Sequence, residues 1–83
     1  MKIKANYSIK EINDIVIIIN KFDSSDIYEI NEWGKIILEN IDKEIDIILS
    51  IIKDKYNVLD DISTLNDIIE FINNLADLGI VEN

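Results

Sequence analysis

Residues 26–37, DIYEINEWGKII, contain a boundary between two kinds of secondary structure. The β-branched and aromatic residues of 27–30 are typical of a strand. Trp33, Ile36 and Ile37 follow at helical spacing. Asn31, which lies between the two patterns, is a favourable N-cap because its side chain can accept a hydrogen bond from the first helical turn. The stretch therefore predicts a strand that ends directly in a helix.

Two further strands are predicted before this boundary. Residues 7–12 (YSIKEI) alternate in polarity, and residues 13–22 contain a β-branched run that is typical of a strand covered on both faces. Asn13 and Asp14 predict a tight turn between these strands, and residues 23–26 (DSSD) predict a second turn before the strand at 27–30. Consecutive strands joined by short turns favour an antiparallel meander.

Three helices are predicted after the strands. The first covers 32–41, the second 44–56, and the third 65–78 with Ser63 or Thr64 as its cap. Gly79 is suited to end the third helix in the left-handed conformation, after which Ile80 is expected to fold back. The fold class is therefore α+β, a winged-helix-like domain in which a three-stranded antiparallel sheet precedes three helices (βββααα). We expect one domain over 1–83.

The composition argues against an enzyme. The chain has no cysteine and no histidine, so thiol nucleophiles, zinc–thiolate sites and the commonest general base are all missing. None of the serine or threonine hydroxyls has a histidine to activate it. We predict no catalytic residue, no metal site and no cofactor.

The net charge of −9 opposes binding to nucleic acid or to an anionic membrane. It would attract a basic peptide or a basic patch on a partner, although the simpler interpretation is solubility. The N-terminus has no apolar segment of the secretory type, and the longest apolar run, 15–19, is too short to cross a bilayer. We therefore expect a cytoplasmic protein.

The chain resembles the PqqD-like proteins, which are RiPP recognition elements; RiPPs are ribosomally made, post-translationally modified peptides. The stretch IYEINEWGKIILENI is similar to the family pattern YxLNxTGxxIxxxL, and DIIEFINNLADLGIVE is similar to DVxxFLxxLxxxGLI. Tyr56 matches a tyrosine that is frequent at the end of the second helix. The resemblance covers about residues 7 to 82. Trp33 stands where the family usually has a small residue, and IDKE replaces a DG between the first two helices.

The resemblance implies a non-catalytic peptide chaperone that binds the leader segment of a precursor peptide and delivers it to a modifying enzyme. The leader is expected to add as a strand beside 27–30 and to lie against the third helix. The enzyme would be a radical-SAM protein or a leader protease. We expect a monomer or weak homodimer. The predicted leader-binding residues are Asp26, Ile27, Tyr28, Glu29, Ile30, Asp67, Ile68, Phe71, Asn74, Leu75 and Leu78.

Single residues of the predicted cleft allow two interpretations each. Tyr28 and Ile30 are expected to face inward, because Glu29 is costly to bury unpaired. Phe71 either fills the core or forms the floor of a groove for an apolar leader side chain. The carboxylates of the two cleft elements either select a leader with lysines or arginines or belong to a generally acidic surface; these are Asp26, Glu29, Asp67, Glu70 and Asp77.

Two other functions are considered. A winged-helix regulator acting through DNA or protein contacts is the main alternative, but the third helix has no lysine or arginine to neutralise phosphates. The second alternative is a small subunit that pairs with itself through an exposed strand.

Overall fold

Strands dominate the first third of the chain and helices the rest, as expected. The computed structural model describes residues 1–83. The strands are Lys2–Ile3 (β1), Tyr7–Ile12 (β2), Ile15–Asn20 (β3), Asp23–Ile30 (β4) and Val81–Glu82 (β5), and the helices are Glu32–Glu39 (α1), Ile45–Lys55 (α2) and Asp61–Asp77 (α3). The strands β2, β3 and β4 form an antiparallel sheet in that order. The predicted α+β arrangement of a three-stranded meander followed by three helices is confirmed.

The first hairpin turns where the sequence predicts it. Asn13 and Asp14 have φ angles of 49° and 68°. Positive φ at both central residues defines a type I′ turn, whose twist matches that of the flanking strands. Asparagine and aspartate tolerate this conformation better than most residues do.

The second predicted turn is wrong. The chain turns at Lys21–Phe22, and residues 23–26 belong to β4. The Asn20 side chain accepts a hydrogen bond from the Phe22 amide at 2.9 Å, which closes the turn two residues earlier than DSSD suggested. Phe22, whose apolar side chain favoured a strand position, is 86% exposed.

The ends of the helices follow their caps. Asn31 caps α1 as predicted, because its Oδ1 accepts from the Gly34 amide at 2.8 Å. The cap of α3 is Asp60, not Ser63 or Thr64, and the helix begins four residues earlier than predicted. The Oδ1 atom of Asp60 accepts hydrogen bonds from the amides of Ile62 and Ser63 at 3.0 and 3.3 Å.

The end of α3 is a Schellman motif built around Gly79, as the sequence indicated. Gly79 has a φ of 78°. The Gly79 amide donates to the carbonyl of Ala76 at 3.0 Å, and the Ile80 amide donates to that of Leu75 at 2.9 Å. Ile80 folds back and is fully buried.

No sequence pattern indicated that the first and last residues of the domain pair with each other. Strand β1 pairs with β5, with Ile3 opposite Val81 and Lys2 opposite Glu82. This pair closes over one core that lies between the sheet and the helices. Its eleven buried residues are mostly isoleucines: Tyr7, Ile18, Ile37, Leu38, Ile41, Ile48, Ile52, Ile68, Leu75, Ile80 and Val81.

Candidate functional site

Strand β4 is an edge strand, and only its second half is regular. Its residues pair with β3 from Ile30 opposite Val16 to Ile27 opposite Ile19, after which the register shifts. The next pair is Asn20 opposite Asp23, so residues 24–26 have no partner in the ladder and the pairing is irregular there. The regular edge is therefore the segment 27–30.

The hairpin turn determines which backbone groups of this edge are free. In a two-residue turn the flanking residues, Ile12 and Ile15, form a hydrogen-bonded pair, and such pairs then alternate along an antiparallel ladder. The odd-numbered residues of β3 therefore point their amides and carbonyls toward β2. The Lys21 amide, which donates to the carbonyl of Asn6 at 2.7 Å, continues this pattern.

The even-numbered residues of β3 must then bond to β4. Val16 and Ile18 lie opposite Ile30 and Tyr28, so these two residues of β4 use their backbone groups inside the sheet. Ile27 and Glu29 consequently direct their N–H and C=O groups to the open side. The edge thus offers two donors and two acceptors to an extended chain.

The first half of β4 is protected. The Asp26 carboxylate accepts hydrogen bonds from the Tyr7 hydroxyl and, at 3.0 Å, from Asn20 Nδ2. The hydrogen bond raises the pKa of Tyr7 to about 12 and lowers the pKa of Asp26. The amide of Ser25 donates to Asp23 Oδ1 at 3.1 Å. The Asp26 bonds hold the irregular segment on β2 and β3, and the Ser25 bond orders it locally, which leaves 27–30 as the open part of the edge.

The side chains of the open segment alternate as predicted. Tyr28 and Ile30 are half-buried and pack against the core, whereas Glu29 is exposed and Ile27 is 45% exposed. The free backbone groups therefore belong to the two residues whose side chains lie on the outer face of the sheet.

The ring of Phe71 brings α3 close to the end of this strand. It meets the Trp33 ring edge-on, with centroids 5.8 Å apart and planes at 74°. It also lies against Gly34, where an added Cβ would come within 2.8 Å of Phe71 Cζ. Only glycine allows this approach, so Gly34 sets the distance between α3 and the start of α1. Phe71 both packs in the domain and lines a surface hollow.

The hollow lies beside these two rings. Its volume is about 460 Å³, and its walls are Trp33, Asp67, Glu70, Phe71 and Asn74. It contains three of the predicted residues together, namely Asp67, Phe71 and Asn74. The sequence signal for Trp33 was its position two residues after Asn31, at the end of the predicted edge strand.

Two of the predicted contact residues belong to the core instead. Ile68 is fully buried and Leu75 is 4% exposed, because both point from α3 toward the other helices and the sheet. A peptide on the surface cannot touch them without opening the domain. Leu78, at the C-cap of α3, is 47% exposed but does not line the hollow.

The charge of this region has one sign. Strand β4 and helix α3 carry seven carboxylates and no lysine or arginine. Only Asp61 among these carboxylates is in a salt bridge, with Lys53 at 2.8 Å. This arrangement opposes contact with phosphates and favours a positively charged ligand.

Taken together, the fold and the site define a class: a winged-helix-like α+β domain in which the outer strand β4 has an open segment and runs directly into a helix. No family model and no curated protein matches the sequence. Among solved structures the chain is similar to TbiB1, solved in complex with the TbiA(beta) leader peptide. The TM-score is 0.82 and the identity 24%, over 100% of this chain and 96% of TbiB1. The chain therefore has the fold of TbiB1, an α+β fold of the class that the sequence predicted.

The three helices contain 8, 11 and 17 residues. None of them is long and apolar enough to span a membrane.

Proposed function

We propose that this chain is a RiPP recognition element: a non-catalytic module that binds the leader segment of a precursor peptide and delivers it to a modifying enzyme. The observation that carries the proposal is the open edge at 27–30, which runs into α1 at the point where Phe71 of α3 packs against Gly34. The fold shared with TbiB1, which was solved with a leader peptide, supports it.

The binding mode follows from the free backbone groups. An extended leader pairs with the N–H and C=O groups of Ile27 and Glu29, and its alternate side chains face α3. Each such hydrogen bond contributes about 0.5–1.5 kcal/mol net, so four of them contribute about 2–6 kcal/mol. Association costs about 4–15 kcal/mol, so side-chain contacts of the leader must supply the rest of the affinity. The edge needs no ordering on binding, because Asn31 starts α1 at its end and the Asp26 hydrogen bonds hold its beginning.

The test is a titration of the isotope-labelled protein with the synthetic N-terminal segment of any short precursor-like reading frame found beside its gene. We expect amide shifts at 26–31 and along the exposed face of α3. Glu29→Pro removes an outward donor while Glu29→Ala keeps it, so the two variants separate backbone from side-chain recognition. We expect Glu29→Pro to weaken binding about 10-fold or more and Glu29→Ala to change it less than about 3-fold.

Shifts confined to the turns, or equal losses in the two variants, would contradict strand addition. Thermal unfolding of both variants controls for folding. Delivery is tested separately, with the enzyme encoded beside the same gene. The module should raise the rate at which that enzyme processes the full precursor, and Glu29→Pro should abolish the increase.

The open edge also fits a second copy of the chain. Sedimentation at micromolar concentration tests this alternative. Edge-to-edge pairing would give a dimer in the wild type and a monomer in Glu29→Pro.

A further inference from the structure

The hollow on α3 combines aromatic walls with an acidic rim. Trp33 and Phe71 form one side, and their rings are only half-buried. Asp67, Glu70 and Asn74 stand three and four positions apart, so they share one exposed face of α3 with Phe71.

The rim carboxylates have no cation within the protein. All eight positive side chains are lysines outside β4 and α3, and those in salt bridges pair with Glu82, Glu11, Glu39, Asp61 and Glu32. Asp67 and Glu70 take part in no salt bridge or side-chain hydrogen bond. Their charge therefore adds to the potential of the hollow instead of being cancelled locally.

We infer that this hollow selects a lysine or arginine side chain of the bound peptide, recognised by Asp67 and Glu70 and packed on Trp33. The inference rests on the proposed function and adds which side chain of the peptide the module prefers. A cation over an indole face is attracted by the ring quadrupole, and the aliphatic stem of the same side chain covers the apolar wall. A purely apolar side chain would pack against the rings but would leave the carboxylates without a positive partner.

The spacing limits where that residue lies in the peptide. The face from Asp67 to Asn74 is about 10 Å long at about 1.5 Å per residue. An extended peptide running along it covers this length with about three residues, of which alternate ones face α3. The hollow therefore takes one basic side chain, and a neighbour two positions away contacts the same helix face.

The experiment is selection of a random linear twelve-residue peptide library on three proteins. They are the wild type, the double variant Asp67→Asn/Glu70→Gln, and a control, Asp42→Asn/Asp54→Asn. The control removes the same two charges from exposed positions that also lack a salt bridge and lie outside the hollow. Binding constants of selected peptides and of their Lys→Gln forms are then measured at low and high salt, with the fluorescence of Trp33 as the signal.

We expect peptides selected on the wild type and the control to be enriched in lysine or arginine at one position of an alternating pattern. Lys→Gln should weaken them about 10-fold on these proteins, from two exposed ion pairs and one cation–π contact, and only about 2- to 5-fold on the double variant, where the cation–π contact alone remains. Salt should weaken binding to the wild type more than to the double variant.

The outcomes separate the two proposals. Selected peptides that bind the 27–30 edge without basic enrichment, or equal enrichment on all three proteins, overturn the specificity and leave strand addition intact. If no peptide binds the edge, the proposed function fails first, and the specificity fails with it.

Discussion

Replacing Gly34 with alanine tests the geometry on which the site depends. The new Cβ would lie 2.8 Å from Phe71 Cζ and 3.2 Å from Phe71 Cε1, where ordinary contacts begin at 3.4 Å. The ring must therefore retreat by about 0.6 Å or more, away from the start of α1. Overpacking of this kind costs about 1–3 kcal/mol.

Helix propensity acts in the opposite direction. Alanine is favoured over glycine inside a helix by about 1 kcal/mol. The net expectation for Gly34→Ala is a loss of about 1 kcal/mol in the free energy of unfolding, which lowers Tm by about 4–8 °C in a domain of this size. The sign depends entirely on the contact with Phe71.

The same substitution in a Phe71→Leu background separates the two terms. Leucine lacks the Cζ and Cε1 atoms, so the added methyl has room and the propensity gain remains. Gly34→Ala should then be neutral or stabilising by up to about 1 kcal/mol, which gives a coupling energy of about 1–2 kcal/mol.

The assay is urea unfolding of the four proteins in this cycle, followed by Trp33 fluorescence and by circular dichroism. The wild type and Phe71→Leu are the references for each arm. A stabilising Gly34→Ala in the wild-type background, or a coupling near zero, would refute the close approach of α3 to α1.

Three further predictions concern the fold around the site. Asp60→Ala should lower the free energy of unfolding by about 1 kcal/mol, whereas Ser63→Ala should not lower it. Thermal unfolding of the two variants tests this, and a larger loss for Ser63→Ala would indicate Ser63 as the cap instead. Gly79→Ala should cost about 1–2 kcal/mol, because φ is positive there, and a neutral result in urea unfolding would contradict that conformation. Because the folded-state pKa of Asp26 is lowered, its contribution to stability is present above the unfolded pKa of about 3.9 and is lost as pH falls through the folded value. Asp26→Asn should therefore flatten the acid limb of the stability curve, and an unchanged acid limb would exclude the Asp26 hydrogen bonds as its cause. Because the pKa of Tyr7 is raised to about 12, its contribution to stability is fully present below about pH 10 and is lost only as pH rises from there through about 12.

Local signals predicted the fold wherever one residue type dictates a conformation. Asn31 marked the start of α1, Gly79 marked the end of α3, and Asn13–Asp14 marked the first turn. The second turn was predicted two residues too late because residues 23–26 are held in β4 by a tertiary contact. Tyr7, nineteen residues from Asp26, holds the segment 23–26 on the sheet, and no local pattern contains that contact.

The candidate site was predicted in outline, and its details depended on burial. Alternation in 27–30 correctly placed Tyr28 and Ile30 inward. Helical spacing alone could not say which stripe of α3 faces the core, so Ile68 and Leu75 were assigned to the cleft although both are buried. Whether the remaining predicted residues bind a peptide stays a prediction.

The pairing of β1 with β5 has a consequence for how the domain can be connected. Lys2 lies opposite Glu82, so the two ends of the described chain leave the domain at the same place. A short linker between them should permit circular permutation, with new termini in the exposed α1–α2 connection at Asp42–Lys43. For the same reason, fusion of a second domain at either end would place it on the same side of this one. Fusion at the N-terminus or at the C-terminus would change the order of the two domains in the gene but hardly change their relative position.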